Sequence, residues 1–173
     1  IHSYDAPAKA LKNAQLFIDA GADGVKIEGN HYEIIKKLVK NSINVMGHIG
    51  LLPQSYKTYK VVGREEEEKI SLINDAISIE KAGAFSVVLE SMPENLGGKI
   101  TNAVQIPTIG IGAGRYCDGQ VLVINDLLGM DPDFHPKFVK RYLNLYQLIS
   151  NSVNSFIKDV KEGNYPDSEH IYE

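Results

Sequence analysis

The sequence holds one cysteine, Cys117, which excludes an intrachain disulfide and a cysteine-based zinc site. It has no excess of positive charge: 18 Lys and Arg stand against 22 Asp and Glu, a formal net charge of −4. Nucleic-acid backbones are bound through basic surfaces, so no nucleic-acid partner is expected. No apolar run approaches the roughly 20 residues that cross a bilayer, so no membrane partner is expected either. The opening residues, IHSYDAPAKA, lack the apolar stretch of a signal peptide. The expectation is a cytoplasmic enzyme, or a mitochondrial one if the source is eukaryotic. At 173 residues, 43% hydrophobic and 23% charged, the chain is long enough for one domain over 1–173 and short for two.

What is present is a regular alternation of hydrophobic periods. Residues 7–20 predict a helix, with Pro7 in its first turn, Gly21 as its stop, and Ala10, Ala14, Phe17 and Ile18 as the buried stripe. GVKIEG (24–29) predicts a strand, residues 32–40 a helix, and NVMGHIG (44–50) a second strand. A loop rich in tyrosine and lysine leads into a helix over 65–82, whose acidic run EEEE is suited to a first turn and which Gly83 ends. FSVVLES predicts a strand, PENLGGKITNA a short helix, PTIGIGAG a strand, QVLVINDLLG a further apolar element ending near Asp126, and residues 136–163 the final helices. The phrase AGA precedes a strand twice, in IDAGADGVKIE and IEKAGAFSVVLE, and each strand closes on a glutamate. Repeated βα units with nearly continuous apolar strands predict an α/β fold built on a parallel sheet. Five such units are the last five-eighths of a (β/α)8 TIM barrel, whose reaction sites lie at the C-terminal ends of the strands.

Those ends carry the candidate residues. Lys26 and Glu28 lie two apart and share one side of their strand, with Val25 and Ile27 on the other; His48 and Glu90 close the next two strands. Each taken singly reads as a solvated strand terminus. Gathered in one bowl they must be paired, metal-bound or working, because isolated buried charge is costly. Glu28 can serve a hard divalent cation, magnesium more than zinc; Lys26 and His48 can hold an anionic substrate and an oxygen that gains charge; Glu90 is then free to act as a base. This division of labour suits enolisation of a 2-oxo acid.

GIGAGRYCDG (110–119) has Arg115 where a GxGxxG dinucleotide pattern needs glycine and lacks the GK[ST] ending of a phosphate loop. A tight turn and an anion contact both remain open for it. Asp118 and Asp126 read as turn or cap residues, with Asp126 also placed to face the bowl. The segment HSY (2–4), Tyr56, Tyr59 and Tyr116 can line a cavity or pack loops. His31, His135 and His170 have no partners at metal-ligand spacing, and Met92 and Met130 read as core or lid filling.

The stretches GADGVKIEG, GHIGLLPQS, YKVVGR, EKAGAFSVVLESMP, IPTIGIGAGRYCDGQVLVINDLLGM, PKFVKRY and GNYPDSEH resemble the ketopantoate (3-methyl-2-oxobutanoate) hydroxymethyltransferase family, in family order along nearly the whole chain. The resemblance implies a TIM-barrel enzyme that transfers a one-carbon unit from 5,10-methylenetetrahydrofolate to 3-methyl-2-oxobutanoate, giving 2-dehydropantoate on the route to pantothenate and coenzyme A. It further implies use of Mg2+ and a large cyclic homo-oligomer, typically a decamer. Position by position, it places the substrate-contacting lysine at Lys26, the glutamate in or beside the magnesium shell at Glu28, the histidine holding substrate oxygens at His48, and the base at Glu90. It also implies about three further β units before Ile1, with a serine–glycine pair and two metal-ligating aspartates. A chain starting at Ile1 is therefore expected to form an open barrel without a functional metal site, and a portion of a longer polypeptide is favoured over a natural half-enzyme. The family loop between Gln54 and Lys60 is usually a few residues longer.

Rival readings are a magnesium-dependent barrel of the phosphoenolpyruvate mutase and isocitrate lyase type, a non-catalytic assembly subunit, and a phosphate-binding barrel. The first would carry a cysteine- or aspartate-bearing gating loop where PQSYKTYK stands. The second is marked by the missing metal ligands, and the third would bind phosphate at the amides of GIGAG.

Overall fold

In the computed structural model residues 3–54 and 59–172 are described. The predicted loop difference between Gln54 and Lys60, along with His2 and Tyr56, falls wholly or largely outside the described residues. The chain divides into two compact units, Ile1–Val121 and Leu122–Glu173.

In the first unit α1 (Pro7–Asp19), β1 (Val25–Glu28), α2 (Tyr32–Val39), β2 (Val45–Gly50), α3 (Glu66–Lys81), β3 (Ser86–Glu90), α4 (Glu94–Ala103), β4 (Thr108–Ile111) and β5 (Gly119–Gln120) follow in turn. The strands form one sheet in the order β1-β2-β3-β4-β5, every pair parallel. The predicted α/β alternation and parallel sheet are thus present. The AGA repeat has a common local cause. Ala22 N–H donates to Phe17 O at 2.9 Å and Ala84 N–H to Ile79 O at 3.3 Å, each across a glycine with φ +99°. These are the long closing bonds of a Schellman cap, which needs a left-handed residue that glycine supplies without a Cβ clash. Ala10, Ile27, Ile35, Leu38, Val45, Ile49, Ile79, Val87, Leu89, Leu96 and Ile100 form the buried core between helices and sheet. Gly47 brings β2 against α3: a Cβ there would lie 2.5 Å from Ile79 Cγ2.

The second unit holds α5 (Ile124–Leu128) and α6 (Leu145–Glu162). Two expectations change here. QVLVINDLLG is not one extended apolar element, since β5 ends at Gln120 and Asp126 lies in the first turn of α5 instead of at a strand end. The final helix begins only at Leu145, capped by Asn144, whose side chain accepts from Gln147 N–H at 3.2 Å. The preceding segment gives its polar groups to other partners. The Arg141 guanidinium donates to the carbonyls of Asp131 and Phe134, and Tyr142 N–H donates to Leu127 O. Among the described residues no helix is long and apolar enough to cross a membrane.

Candidate active site

The parallel register sets the site. Glu28 pairs with His48, and Gly50, two residues beyond His48, pairs with Glu90. All three side chains therefore leave the same face of the sheet at the C-terminal ends of successive strands, with Lys26 two residues before Glu28. A Cβ on Gly50 (φ +99°) would lie 2.1 Å from the Glu90 carbonyl oxygen, so only glycine permits this approach of β2 to β3 beside Glu90.

The four predicted residues converge. Lys26 Nζ is 3.0 Å from His48 Nδ1 and 3.8 Å from Glu28 Oε1, and His48 Nδ1 is 3.8 Å from the same Glu28 oxygen. On the far side of the ring, His48 Nε2 is 3.0 Å from Glu90 Oε2. That approach is close but off the N–H axis, so Nε2 has no in-line hydrogen-bond partner. Glu28 and His48 are buried, whereas the Lys26 side chain is 44% exposed. The cation can therefore meet a ligand from outside while the buried carboxylate is balanced from within.

Sequence reasoning left Gln54 without a role. Its backbone N–H donates to Glu28 Oε2 at 3.2 Å, a contact that no residue type signals because the donor is main chain. Tyr4 is half-buried, its ring edge-on to His31 at 5.4 Å; burial and then the charge of Glu28 push its phenol up from the ordinary value. Among the described residues no set of three or more His, Cys, Asp or Glu side chains is arranged to hold a metal ion. Glu28 alone offers one carboxylate, which fits one place in a magnesium shell, since magnesium is commonly held by one or two carboxylates with waters and substrate oxygens completing it.

The glycine loop is closely packed. A Cβ at Gly114 would overlap Glu94, whose carboxylate is paired with the Arg115 guanidinium at 2.6 Å, and a Cβ at Gly110 would meet Cys117 Sγ and Gln120. Asp118 is a turn residue: its carboxylate accepts from Thr108 N–H at 2.8 Å and Thr108 Oγ1 at 3.0 Å, and these bonds hold its pKa below the usual value. Burial raises the Cys117 thiol. Met92 is core, as expected, while Met130 is exposed. Ser91, just after Glu90, has φ +53° and donates through its hydroxyl to Tyr59 Oη at 3.0 Å; Tyr116 is exposed. The His31 ring packs on Tyr4, His135 contacts the Pro132 carbonyl, and His170 contacts the Asp167 carboxylate.

The family model of ketopantoate hydroxymethyltransferase matches residues 1–168. This chain belongs to the ketopantoate hydroxymethyltransferase family. It is 48% identical to the 3-methyl-2-oxobutanoate hydroxymethyltransferase of Thermosipho melanesiensis over 169 residues, and 51% identical to that of Clostridium beijerinckii over 170. The match covers 95% of this chain in both cases, but 64% and 62% of those proteins. The chain thus spans a little under two thirds of the length of these relatives. A solved structure from Burkholderia cenocepacia J2315, provisionally named a phosphonomutase, superposes with a TM-score of 0.51 at 11% identity. It covers 93% of this chain and 66% of the other, and it speaks to the fold alone.

Proposed function

We propose that this protein transfers a hydroxymethyl group to 3-methyl-2-oxobutanoate in pantothenate biosynthesis, with 5,10-methylenetetrahydrofolate as the one-carbon donor. The observation that carries the proposal is the convergence of Lys26, Glu28, His48 and Glu90 within 3.0 to 3.8 Å contacts at the C-terminal ends of β1, β2 and β3, in a chain of this family. A (β/α)8 barrel supplies the setting, supported by five consecutive all-parallel strands whose chemistry lies at one end.

In the proposed reaction Lys26 holds the oxygens of the oxo acid from the exposed side, with His48 between it and Glu90. Glu90 takes the proton from C3, and the electron pair of that C–H bond moves to form the C2–C3 double bond, leaving charge on the C2 oxygen. The Lys26 ammonium would stabilise the charge on that oxygen. The enolate carbon then bonds to the methylene carbon of the folate as one of its two C–N bonds breaks; water replaces the second nitrogen and supplies the hydroxyl, and the two nitrogens take the C3 proton and one proton of the water as tetrahydrofolate leaves. Magnesium, when bound, supplies Lewis acidity that makes the C3 proton easier to remove. Glu28 would be one of its ligands, directly or through water, with others expected from the part of the relatives' length outside the match. A cytoplasmic homo-oligomer, a decamer in the family pattern, completes the proposal.

The test is isotope exchange at C3. Glu90→Gln in the full-length protein should bind the oxo acid with near-normal affinity while exchange falls by about 10²- to 10⁴-fold, the range of a lost general base. Exchange at the normal rate would remove Glu90 from the base role.

A further inference from the structure

The buried imidazole of His48 stands between two charged groups that constrain it differently. Lys26 Nζ is 3.0 Å from Nδ1. An ammonium has donors and no acceptor, so Nδ1 must accept, and the ring proton then sits on Nε2. The opposite tautomer would set two N–H donors against each other at that distance. Nε2 in turn lies 3.0 Å from Glu90 Oε2, in a ring only 1% exposed, and has no in-line partner. A buried donor left in this state is costly, and Glu90 is the acceptor within its reach.

We propose that His48 is a positioning residue for Glu90: Lys26 fixes the ring as the Nε2–H tautomer, and that N–H tethers Oε2 of Glu90, leaving Oε1 to take the proton from C3. Both ring nitrogens are then engaged, so this replaces the holding of substrate oxygens that the resemblance implies for His48, and it rests on the deprotonation reading above. It gives Lys26 a part in setting the base as well as in meeting the oxo acid. The register explains why the tether is possible, since Gly50 places Glu90 one step along the same face from His48.

The first readout needs no activity. In full-length protein labelled with 15N-histidine, a two-bond proton–nitrogen spectrum should show the His48 proton on Nε2, and Lys26→Met should shift the ring toward a mixture of tautomers. A proton on Nδ1 in the unaltered protein overturns the proposal. The second readout compares two amides. Glutamine reaches the position of Nε2, whereas asparagine reaches only that of Nδ1. At saturating oxo acid, His48→Gln should keep C3 exchange within about 10-fold of normal, and His48→Asn should lose about 100-fold or more, with oxo-acid affinity changing less than exchange in both. Equal losses in the two variants, or a loss that lies wholly in oxo-acid affinity, overturn it. Normal exchange in Glu90→Gln would instead overturn the base assignment beneath it, an outcome separable from the tautomer result.

Discussion

The two faces of the sheet treat buried polar groups differently. On the helix-covered face Ile27, Val45, Ile49, Val87 and Leu89 are buried, and the polar exception, Thr108 of β4, is fully bonded. Its N–H and hydroxyl reach Asp118, and Thr101 Oγ1 lies 2.8 Å from its hydroxyl oxygen. On the opposite face stand Lys26, Glu28, His48, Ser86 and Glu90, and there polar groups are left over. Among the described residues, the buried side-chain atoms without a hydrogen-bond partner are His48 Nε2 and Ser86 Oγ, and the register puts both residues on this face. Folding saturates most buried polar groups, and the two that it leaves lie on the face that carries the candidate site.

Substitutions that separate the faces would sharpen this comparison. Leu89→Ala, on the covered face beside Glu90, should cost about 2 to 5 kcal/mol of stability by leaving a cavity, with chemistry per folded molecule nearly unchanged. Denaturant unfolding alongside C3 exchange would measure both, and a loss confined to exchange would break the separation. Glu28→Ala should do the reverse. It removes a buried carboxylate facing Lys26 and should raise the magnesium concentration needed for half activity by about 10-fold or more, as loss of a metal-site group does. An unchanged magnesium dependence would remove Glu28 from the metal's neighbourhood.

Asp118→Asn should have the smallest effect, about 1 kcal/mol or less, because solvent around Asp118 screens its charge. The sign with pH is fixed. The native Asp118 pKa lies below its ordinary value, so its contribution is complete above about pH 4, where the unfolded group titrates, and is lost as pH falls through the native value. The stability gap between the unaltered protein and the variant should therefore hold from pH 5 to 7 and close in acid. Thermal melts across that range would show it, and a gap that widens in acid would contradict the assignment.

Much of this was legible in order along the chain. Alternation of 3.6- and 2-residue periods predicted α1 to β4 of the first unit, and the i, i+2 spacing of Lys26 and Glu28 predicted a shared face. The same reasoning failed where backbone groups find irregular partners. The segment before Leu145 reads as amphipathic helix, yet Arg141 and Tyr142 bind carbonyls of residues 127–134 instead. The glycine loop was ambiguous because glycine serves close packing and anion contact equally well. The contacts of Gly114 with Glu94 and of Gly110 with Cys117 show packing.

The sequence by itself determined the parallel α/β architecture, the caps at Gly21 and Gly83, and which residues close the strands, because these follow from local periodicity and backbone sterics. Only the tertiary structure decided that Lys26 meets Nδ1 of His48, that Nε2 comes within 3.0 Å of Glu90, and that a main-chain N–H of Gln54 holds Glu28. Those contacts join residues 22 to 42 positions apart in sequence through the register of neighbouring strands. That register is set by the packing of the whole sheet, and no short stretch of the chain contains it.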